Sequence, residues 1–445
     1  MDKLLLQSLI VSHRERFLAD RGLVTREIVA EIEPFLKQKE ILFLSGIRRS
    51  GKSSILSLVA RNLISKGLIK QNQVLSINFE DERLIRFGVE DFESLYQAFI
   101  ELDNPEGKKW LFLDELQVIP GWERWVHRMY EFEDVKMFIT GSNSSLSNSV
   151  LSSALTGRNR ELRIYPFSFR EYLGMNGATE VTEHDLLSTE KVARLKREFT
   201  AFSRLGGFPE VLKSYDVSIV DSYFKDIMHR DVITLHQIRN AREIRELCLY
   251  LITNSGNLLS YEALRRMLQV KSVSTIRNYL EILKEVFLIQ SLPRYDFSIK
   301  KQIFNPDKYY VTDIGFYQSL GFRFSENMGQ ILENIVLHQL IRDHDDLYYW
   351  SSASGKEVDF LVREKTVLTE AIQVTYDLNP ENRDRELSGL ISAEKELGIS
   401  KLTILTHDQE EQIQLGQYII QVTPVWKWLL KGNYSYNGET RKISV

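Results

Sequence analysis

The 445-residue chain is 43% apolar and 27% charged, which excludes global disorder and leaves length for two to four domains at roughly 100–200 residues each. Its formal net charge of −4 excludes a uniformly basic surface, so any nucleic-acid contact must be a local patch. One cysteine, Cys248, and eight scattered histidines exclude an internal disulfide and a zinc cluster. No apolar run approaches the ~18–20 residues of a membrane span. His13, Arg14, Glu15 and Arg16 interrupt the short apolar start, which does not have the layout of a signal peptide. A cytoplasmic protein without a membrane partner is expected.

Residues near 4–38 have helical spacing, with Pro34 allowing one break. Glu40 to Leu44 is a short, nearly all-apolar run suited to a buried parallel strand. Gly46 follows it, and a helical pattern starts near Lys52. Val74 to Phe79, Trp110 to Leu113 and Val135 to Thr140 repeat the strand pattern with helical stretches between them, and Leu162 to Tyr165 adds a last strand. This alternation predicts a doubly wound α/β domain with a parallel sheet. Tyr165 to Leu173 leaves that domain, and residues 174–190 read as a polar surface loop or insertion. A helical stretch from about Glu190 is broken at Gly206-Gly207-Phe208-Pro209.

Ile244, Leu247, Cys248, Leu251 and Ile252 share one helix face, which makes Cys248 a small buried apolar residue rather than a catalytic thiol. Tyr261 to Leu268 and a stretch from Ser272 to Phe287 read as two further helices. Leu288 to Pro293 and Lys308 to Thr312 then read as two strands around a polar turn. Three helices and a hairpin predict a winged helix-turn-helix, with Lys271, Ser272, Ser274, Thr275, Arg277 and Asn278 off the apolar face of the third helix. Those residue types suit phosphate and base-edge contacts; a packing or protein-docking role is the alternative. From Gly329 a further α/β unit begins: helix Leu332 to Ile341, strands Leu347 to Trp350, Val358 to Val362 and Thr366 to Tyr376, then a helix and a strand at Leu402 to Thr406.

Gly46-Ile47-Arg48-Arg49-Ser50-Gly51-Lys52-Ser53 has the spacing of a phosphate-binding loop between a strand and a helix. The glycines let backbone N–H groups turn toward phosphate oxygens, Lys52 supplies charge at the β- and γ-phosphates, Ser53 ligates Mg²⁺, and the helix start adds a favourable dipole. Ser54 follows in the first helical turn, and Arg48 and Arg49 lie near the nucleotide, or one of them pairs with Asp81 or Glu82. Some 60 residues on, Trp110-Leu-Phe-Leu-Asp114-Glu115 is an apolar strand ending in two carboxylates. Asp114 is expected to hold Mg²⁺ and Glu115 to orient or deprotonate the attacking water. Ser142 and Asn143 end another strand; they read equally as a γ-phosphate sensor and as a turn leading to a helix cap at Ser144 or Ser145. Arg158 reads either as an arginine finger, in its own subunit or a neighbour's, or as an arginine bonded to a loop carbonyl.

These stretches, with Asn78-Phe-Glu-Asp-Glu-Arg83, Leu113-Asp-Glu-Leu-Gln117, Tyr165-Pro-Phe-Ser-Phe169, Gly206-Gly-Phe-Pro209, Glu333-Asn334 and Gly355-Lys-Glu-Val-Asp-Phe360, resemble bacterial and archaeal ATPases with an AAA-type core and a C-terminal domain of unknown function 4143. The resemblance covers nearly the whole chain. It implies an AAA-like ATPase domain with its N-terminal helix over residues 1–173, a helical lid or linker over 174–238, a winged helix over 239–325 and a restriction-nuclease-like fold over 326–445.

A nuclease of the PD-(D/E)xK kind needs carboxylates around a metal and a lysine near the attacking water. Glu333 sits on an apolar helix face, and Glu357 and Asp359 share one strand face. At the (D/E)-x-K position stand Gln373 and Thr375; glutamine is a weaker ligand for a hard cation, and threonine has no ammonium. A degenerate site at Glu333, Asp359 and Gln373 is expected, with Lys356 as the one candidate for a migrated lysine and a plain pairing of Asp359 with a basic residue as the alternative. The expected function is Mg²⁺-dependent ATP binding and slow hydrolysis, coupled to engagement of double-stranded DNA by the C-terminal domains. The alternatives are a nucleotide-dependent switch acting through a protein partner or a homo-oligomer, and an ATP-coupled metal-dependent nuclease.

Overall fold

The computed structural model describes residues 1–142, 157–178, 181–321 and 327–431. They form two compact units: residues 1–166 with 285–287, and residues 167–284 with those from 288 on.

The first unit is built on five parallel strands, β1 (Ile41–Ser45), β2 (Val74–Asn78), β3 (Lys109–Asp114), β4 (Val135–Gly141) and β5 (Asn159–Arg163), in the order β2-β3-β4-β1-β5. Every residue of β1 and of β4 is buried, as parallel strands covered on both faces require. The side chains alternate between two cores. Ile41, Phe43, Leu111 and Leu113 go to one face and meet the helices α1 (Lys3–Leu18), α4 (Asp91–Asp103) and α5 (Trp122–Phe132). Leu42, Leu44, Trp110 and Phe112 go to the other, against α2 (Ile28–Ile32) and α3 (Lys52–Ser65). α3 buries Ile55, Leu56, Val59, Ala60 and Leu63 at helical spacing, so its first turn is held against the end of β1. The strand order puts β4 between β1 and β3. Whatever leaves the C-terminal end of β4 therefore lies between the loop after β1 and the carboxylates that end β3, the place where open α/β sheets collect ligands.

At the opposite end of this sheet Lys136, on β4, is almost fully buried. Its ammonium donates to three backbone carbonyls, of Phe35 (2.8 Å), Gln38 (3.0 Å) and Glu40 (2.5 Å). These carbonyls end the turn that leads into β1, so one side chain closes the entry to the central strand. Methionine fills the volume but removes this donor from all three carbonyls, leaving Phe35 O only its bond from Gln38 N. Lys136→Met is expected to lower unfolding stability by about 2–4 kcal/mol in a chemical denaturation experiment; a loss under ~0.5 kcal/mol would show that water replaces the ammonium at no cost.

The second unit starts with helices, among them Phe169–Met175, Thr189–Leu205, Pro209–Ser214 and Ile219–Asp226. The break at Gly206 has a partner far along the chain. Asp313 caps the helix Ile314–Leu320 by accepting from Gly315 N (2.8 Å), and its second oxygen accepts from Gly207 N (2.7 Å). A Cβ on Gly206, whose φ is +79°, would stand 2.1 Å from an Asp313 oxygen. The glycine is thus required both by its left-handed backbone and by that approach.

Helices Ala241–Thr253, Tyr261–Met267 and Val273–Glu285 precede an antiparallel pair, β6 (Ile289–Leu292) with β7 (Lys308–Val311). The connection is not the polar turn expected: it contains a short helix, Ile299–Phe304, with Phe297, Ile299, Ile303 and Phe304 exposed. A helix of six residues is too short to establish a period in the sequence. The chain continues with helix Met328–Asp343 and six strands, β8 (Asp346–Ser351), β9 (Glu357–Glu364), β10 (Val367–Val374), β11 (Lys401–Thr406), β12 (Glu411–Leu415) and β13 (Tyr418–Pro424), in the order β12-β13-β11-β10-β9-β8. β10, β11 and β13 run parallel and the outer pairings are antiparallel. Helix Arg383–Leu397 crosses between β10 and β11 and packs closely: a Cβ on Gly389 would stand 2.4 Å from the Glu357 carbonyl oxygen.

Candidate functional site

Gly46 leaves β1 with φ +148°, and a Cβ there would stand 2.1 Å from the Ile164 carbonyl oxygen. Ile164 N in turn donates to Ser45 O at 2.7 Å, so the residue that follows β5 presses on the loop's first residue. Gly51, at φ +98°, turns the chain into α3. Between them Arg49 holds φ +72°, a left-handed conformation unusual for a side-chain-bearing residue. The Ser50 side chain is fully buried, and its hydroxyl has no hydrogen-bond partner. The Lys52 ammonium donates to Gly46 O (2.9 Å) and Ile47 O (3.2 Å) and lies 3.7 Å from Glu115 Oε1.

The carboxylates at the end of β3 face this loop. Asp114 Oδ1 accepts from Thr140 Oγ1 at 2.5 Å, and the same Thr140 oxygen accepts from Glu115 N at 2.9 Å. Thr140 thus fixes both acids from the neighbouring strand. Glu115 has φ +53° and ψ +43°, a left-handed backbone that costs about 1–3 kcal/mol in a non-glycine residue and is typical of functional positions. Gln117 Nε2 donates to Glu115 Oε2 at 2.5 Å. Burial, and then the charge of Glu115, push the Asp114 carboxyl up to about 6; hydrogen bonds from Thr140 and Ser53 and the charge of Lys52 pull the other way. Ser53 and Asp114, the two expected Mg²⁺ ligands, therefore lie close enough for the Ser53 hydroxyl to help hold the Asp114 carboxyl down. Their oxygens suit a hard divalent ion, and such an ion would replace the proton that the buried carboxyl takes up.

The remaining expected site residues divide. Ser54 lies in the first turn of α3, and Ser142, buried, follows β4 at the same sheet edge. Asn143, Ser144 and Ser145 lie outside the described residues. Arg48 forks onto Glu80 with contacts of 3.1 and 2.8 Å, not onto Asp81 or Glu82; Asp81 is taken by Arg83 and His13. Arg158 is not brought to the loop. Ile41 N donates to Arg158 O, so Arg158 stands at the strand's entrance, roughly 13 Å from the exit at Ser45 given ~3.3 Å per residue. Its guanidinium pairs with Glu131 at 2.9 Å beside the Tyr130 ring. The expectation that it lies near the loop's edge fails because β5 runs parallel to β1, with Asn159 opposite Ile41 and Arg163 opposite Ser45.

Two residues at this edge carry no signal in the motifs. Thr140 is one. The other is Arg26, which is buried and donates to Ser50 O at 3.0 Å and Tyr165 O at 2.8 Å. It ties the loop to the chain after β5. Arg26→Ala is expected to weaken ATP binding about tenfold in calorimetric titration, the scale of one charge-assisted hydrogen bond, with the midpoint of thermal unfolding lowered; unchanged affinity would remove Arg26 from the loop's support.

The C-terminal candidates come together around a lysine from elsewhere. Glu333, Glu357 and Asp359 all face the Lys308 ammonium, at 3.6, 2.5 and 3.4 Å. Gln373 Oε1 accepts from Asp359 N at 3.3 Å. Lys356 instead donates to Ser392 Oγ. Lys308 stands 51 residues before Asp359, a separation no local motif reveals.

Known proteins place this architecture. An AAA domain family matches residues 38–173, a domain of unknown function (DUF8612) matches 196–327, and another (DUF4143) matches 328–428. An uncharacterized protein of Methanocaldococcus jannaschii is 32% identical over 446 residues, covering 96% of each chain. The chain belongs to the family of that archaeal protein. An uncharacterized protein of Haemophilus influenzae is 27% identical, covering 92% of this chain and all of its own. Among solved structures, the Orc1 protein of Aeropyrum pernix in complex with DNA covers 74% of this chain and 97% of its own at 13% identity and a TM-score of 0.29. Cdc6p of Pyrobaculum aerophilum covers 76% and 98% at 13% identity and a TM-score of 0.26. The family match at residues 38–173 makes the sheet of the first unit an AAA-type P-loop domain, the kind that uses nucleotide and, as a rule, Mg²⁺. Among the described residues no helix is long and apolar enough to cross a membrane.

Proposed function

We propose that the protein binds Mg²⁺·ATP between Gly46–Ser53 and Asp114–Glu115 and hydrolyses it slowly. The observation that carries this reading is the convergence of Lys52, Ser53, Asp114 and Glu115 at one sheet edge, with Thr140 fixing both acids. Backbone N–H groups of the loop and the start of α3 cradle the phosphates, and Lys52 leaves its loop carbonyls to meet them. Ser53 and Asp114 would hold the Mg²⁺, which would supply charge neutralisation to the phosphates. Glu115 accepts a proton from, or orients, the attacking water, held in place by Thr140 and Gln117.

In this reading the nucleotide state controls how the second unit engages double-stranded DNA. The three helices with β6 and β7 act as a winged helix, and the C-terminal sheet acts as a restriction-nuclease-like module without robust cleavage. The exposed apolar side chains of Phe297, Ile299, Ile303 and Phe304 favour a second reading, in which that hairpin docks a protein and no nucleic acid is involved. ATP turnover of the purified protein with Mg²⁺, with and without duplex DNA at several salt concentrations, separates the two. DNA-stimulated turnover that weakens with salt supports DNA engagement, because phosphate contacts release counterions. Turnover indifferent to DNA supports the switch, and no nucleotide binding at all overturns both.

A further inference from the structure

Lys308 opens β7, and its side chain is 6% exposed. Three carboxylates surround its ammonium. Glu357 Oε1 stands at 2.5 Å, Asp359 Oδ1 at 3.4 Å and Glu333 Oε1 at 3.6 Å. The Tyr349 ring lies against it, 5.6 Å to the centroid. The acids are themselves held: Tyr310 O–H donates to the same Glu333 oxygen at 2.6 Å, and Val374 N donates to the second oxygen of Asp359 at 2.9 Å. An ammonium has three N–H donors, and here each has a carboxylate to face. Burial alone would push the lysine pKa down, but the charges of Glu333, Asp359 and Glu357 outweigh it and raise it. The lysine stays charged in a place where an unpaired one would lose its proton. The ligands come from helix Met328–Asp343 and from β9, the cation from the β6–β7 hairpin.

We propose that the Lys308 ammonium is a built-in cation: it fills the place among Glu333, Glu357 and Asp359 that a divalent metal would need, and it pins the hairpin to the C-terminal sheet. A divalent ion needs its oxygens about 2.0–2.6 Å away; spread around the ammonium at 2.5, 3.4 and 3.6 Å, these three do not close on one, and among the described residues no group of three or more His, Cys, Asp or Glu side chains is set to hold a metal. The lysine therefore excludes metal both by volume and by charge, and the C-terminal sheet has no metal-activated water to offer. The inference does not rest on the nucleotide reading, since none of its residues belongs to the phosphate loop or to β3.

The test is titration of nucleotide-free, full-length protein with Mn²⁺, by calorimetry and by thermal melting, for wild type, Asp359→Asn, Lys308→Met and the double variant. Wild type is expected to show no Mn²⁺ site that Asp359→Asn removes. Lys308→Met is expected to gain one saturable site per chain, at least ~10-fold tighter than any wild-type binding, with a melting temperature that Mn²⁺ raises; the double variant should lose it. A wild-type Mn²⁺ site sensitive to Asp359→Asn overturns the proposal, and so does a folded Lys308→Met that binds no Mn²⁺. If Lys308→Met folds only when Mn²⁺ is present, the metal has replaced the lysine and the proposal holds. If it folds under neither condition, the wild-type titration against Asp359→Asn decides in the same sense.

Discussion

Glu115→Gln is expected to lower the maximal rate of ATP hydrolysis by about 10²–10⁴-fold, the usual contribution of a positioned general base, while ATP still binds. The two side chains have the same shape, so the left-handed backbone at this position and the bond from Glu115 N to Thr140 are kept. What goes is the negative charge and the ability to accept a proton. Loss of that charge beside Asp114, whose carboxyl Glu115 helps to push up to about 6, also makes Asp114 easier to ionise, so Mg²⁺ affinity is expected to hold or improve. The measurement is phosphate release under saturating Mg²⁺·ATP, with binding of a fluorescent ATP analogue beside it. Hydrolysis within about threefold of wild type would move the base role elsewhere, and loss of binding would mean that Glu115 supports the loop rather than the water.

The P-loop domain was legible because its signals are local. Strands β1 to β4 appear as short apolar runs, since each is buried on both faces, and the glycine spacing after β1 needs no tertiary information. The same holds for Asp114 and Glu115, which end a strand whose other residues are apolar. Arg26 and Thr140 were invisible because their roles depend on register: Thr140 meets both acids only because β4 lies beside β3, and Arg26 lies 24 residues from the loop carbonyl it holds. Arg158 was misplaced for the related reason that proximity in sequence to a strand does not say which end of the sheet the strand enters. β12 escaped notice because this edge strand buries only Ile413, leaving too little apolar pattern to mark a strand. Gly206-Gly207 was readable as a turn, but the carboxylate that makes Gly206 necessary and accepts from Gly207 N comes from Asp313, 106 residues after Gly207.

Lys52→Ala is expected to weaken ATP binding by about 10–100-fold, the worth of one or two charge-assisted hydrogen bonds, and to reduce hydrolysis below detection. The side chain has two environments to reconcile. It is 4% exposed and satisfied by the Gly46 and Ile47 carbonyls, so it braces the turn of the loop; in the proposed reading the same ammonium supplies counter-charge to the phosphates. The brace alone is a modest loss, because the loop is also held by Ile164 against Gly46 and by Arg26 at Ser50. The variant should therefore fold, with a melting temperature within a few degrees of wild type. Removing the ammonium also strips Asp114 of a positive neighbour that holds its carboxyl down, so the carboxyl rises further and Mg²⁺ must displace a proton more often at neutral pH. That consequence separates a phosphate-binding lysine from a merely structural one: the affinity lost in Lys52→Ala should be partly recovered as the pH is raised from 6 to 8, whereas a loop that has simply collapsed would bind no better. Wild-type affinity for ATP in a folded Lys52→Ala would remove the nucleotide from Gly46–Ser53 altogether.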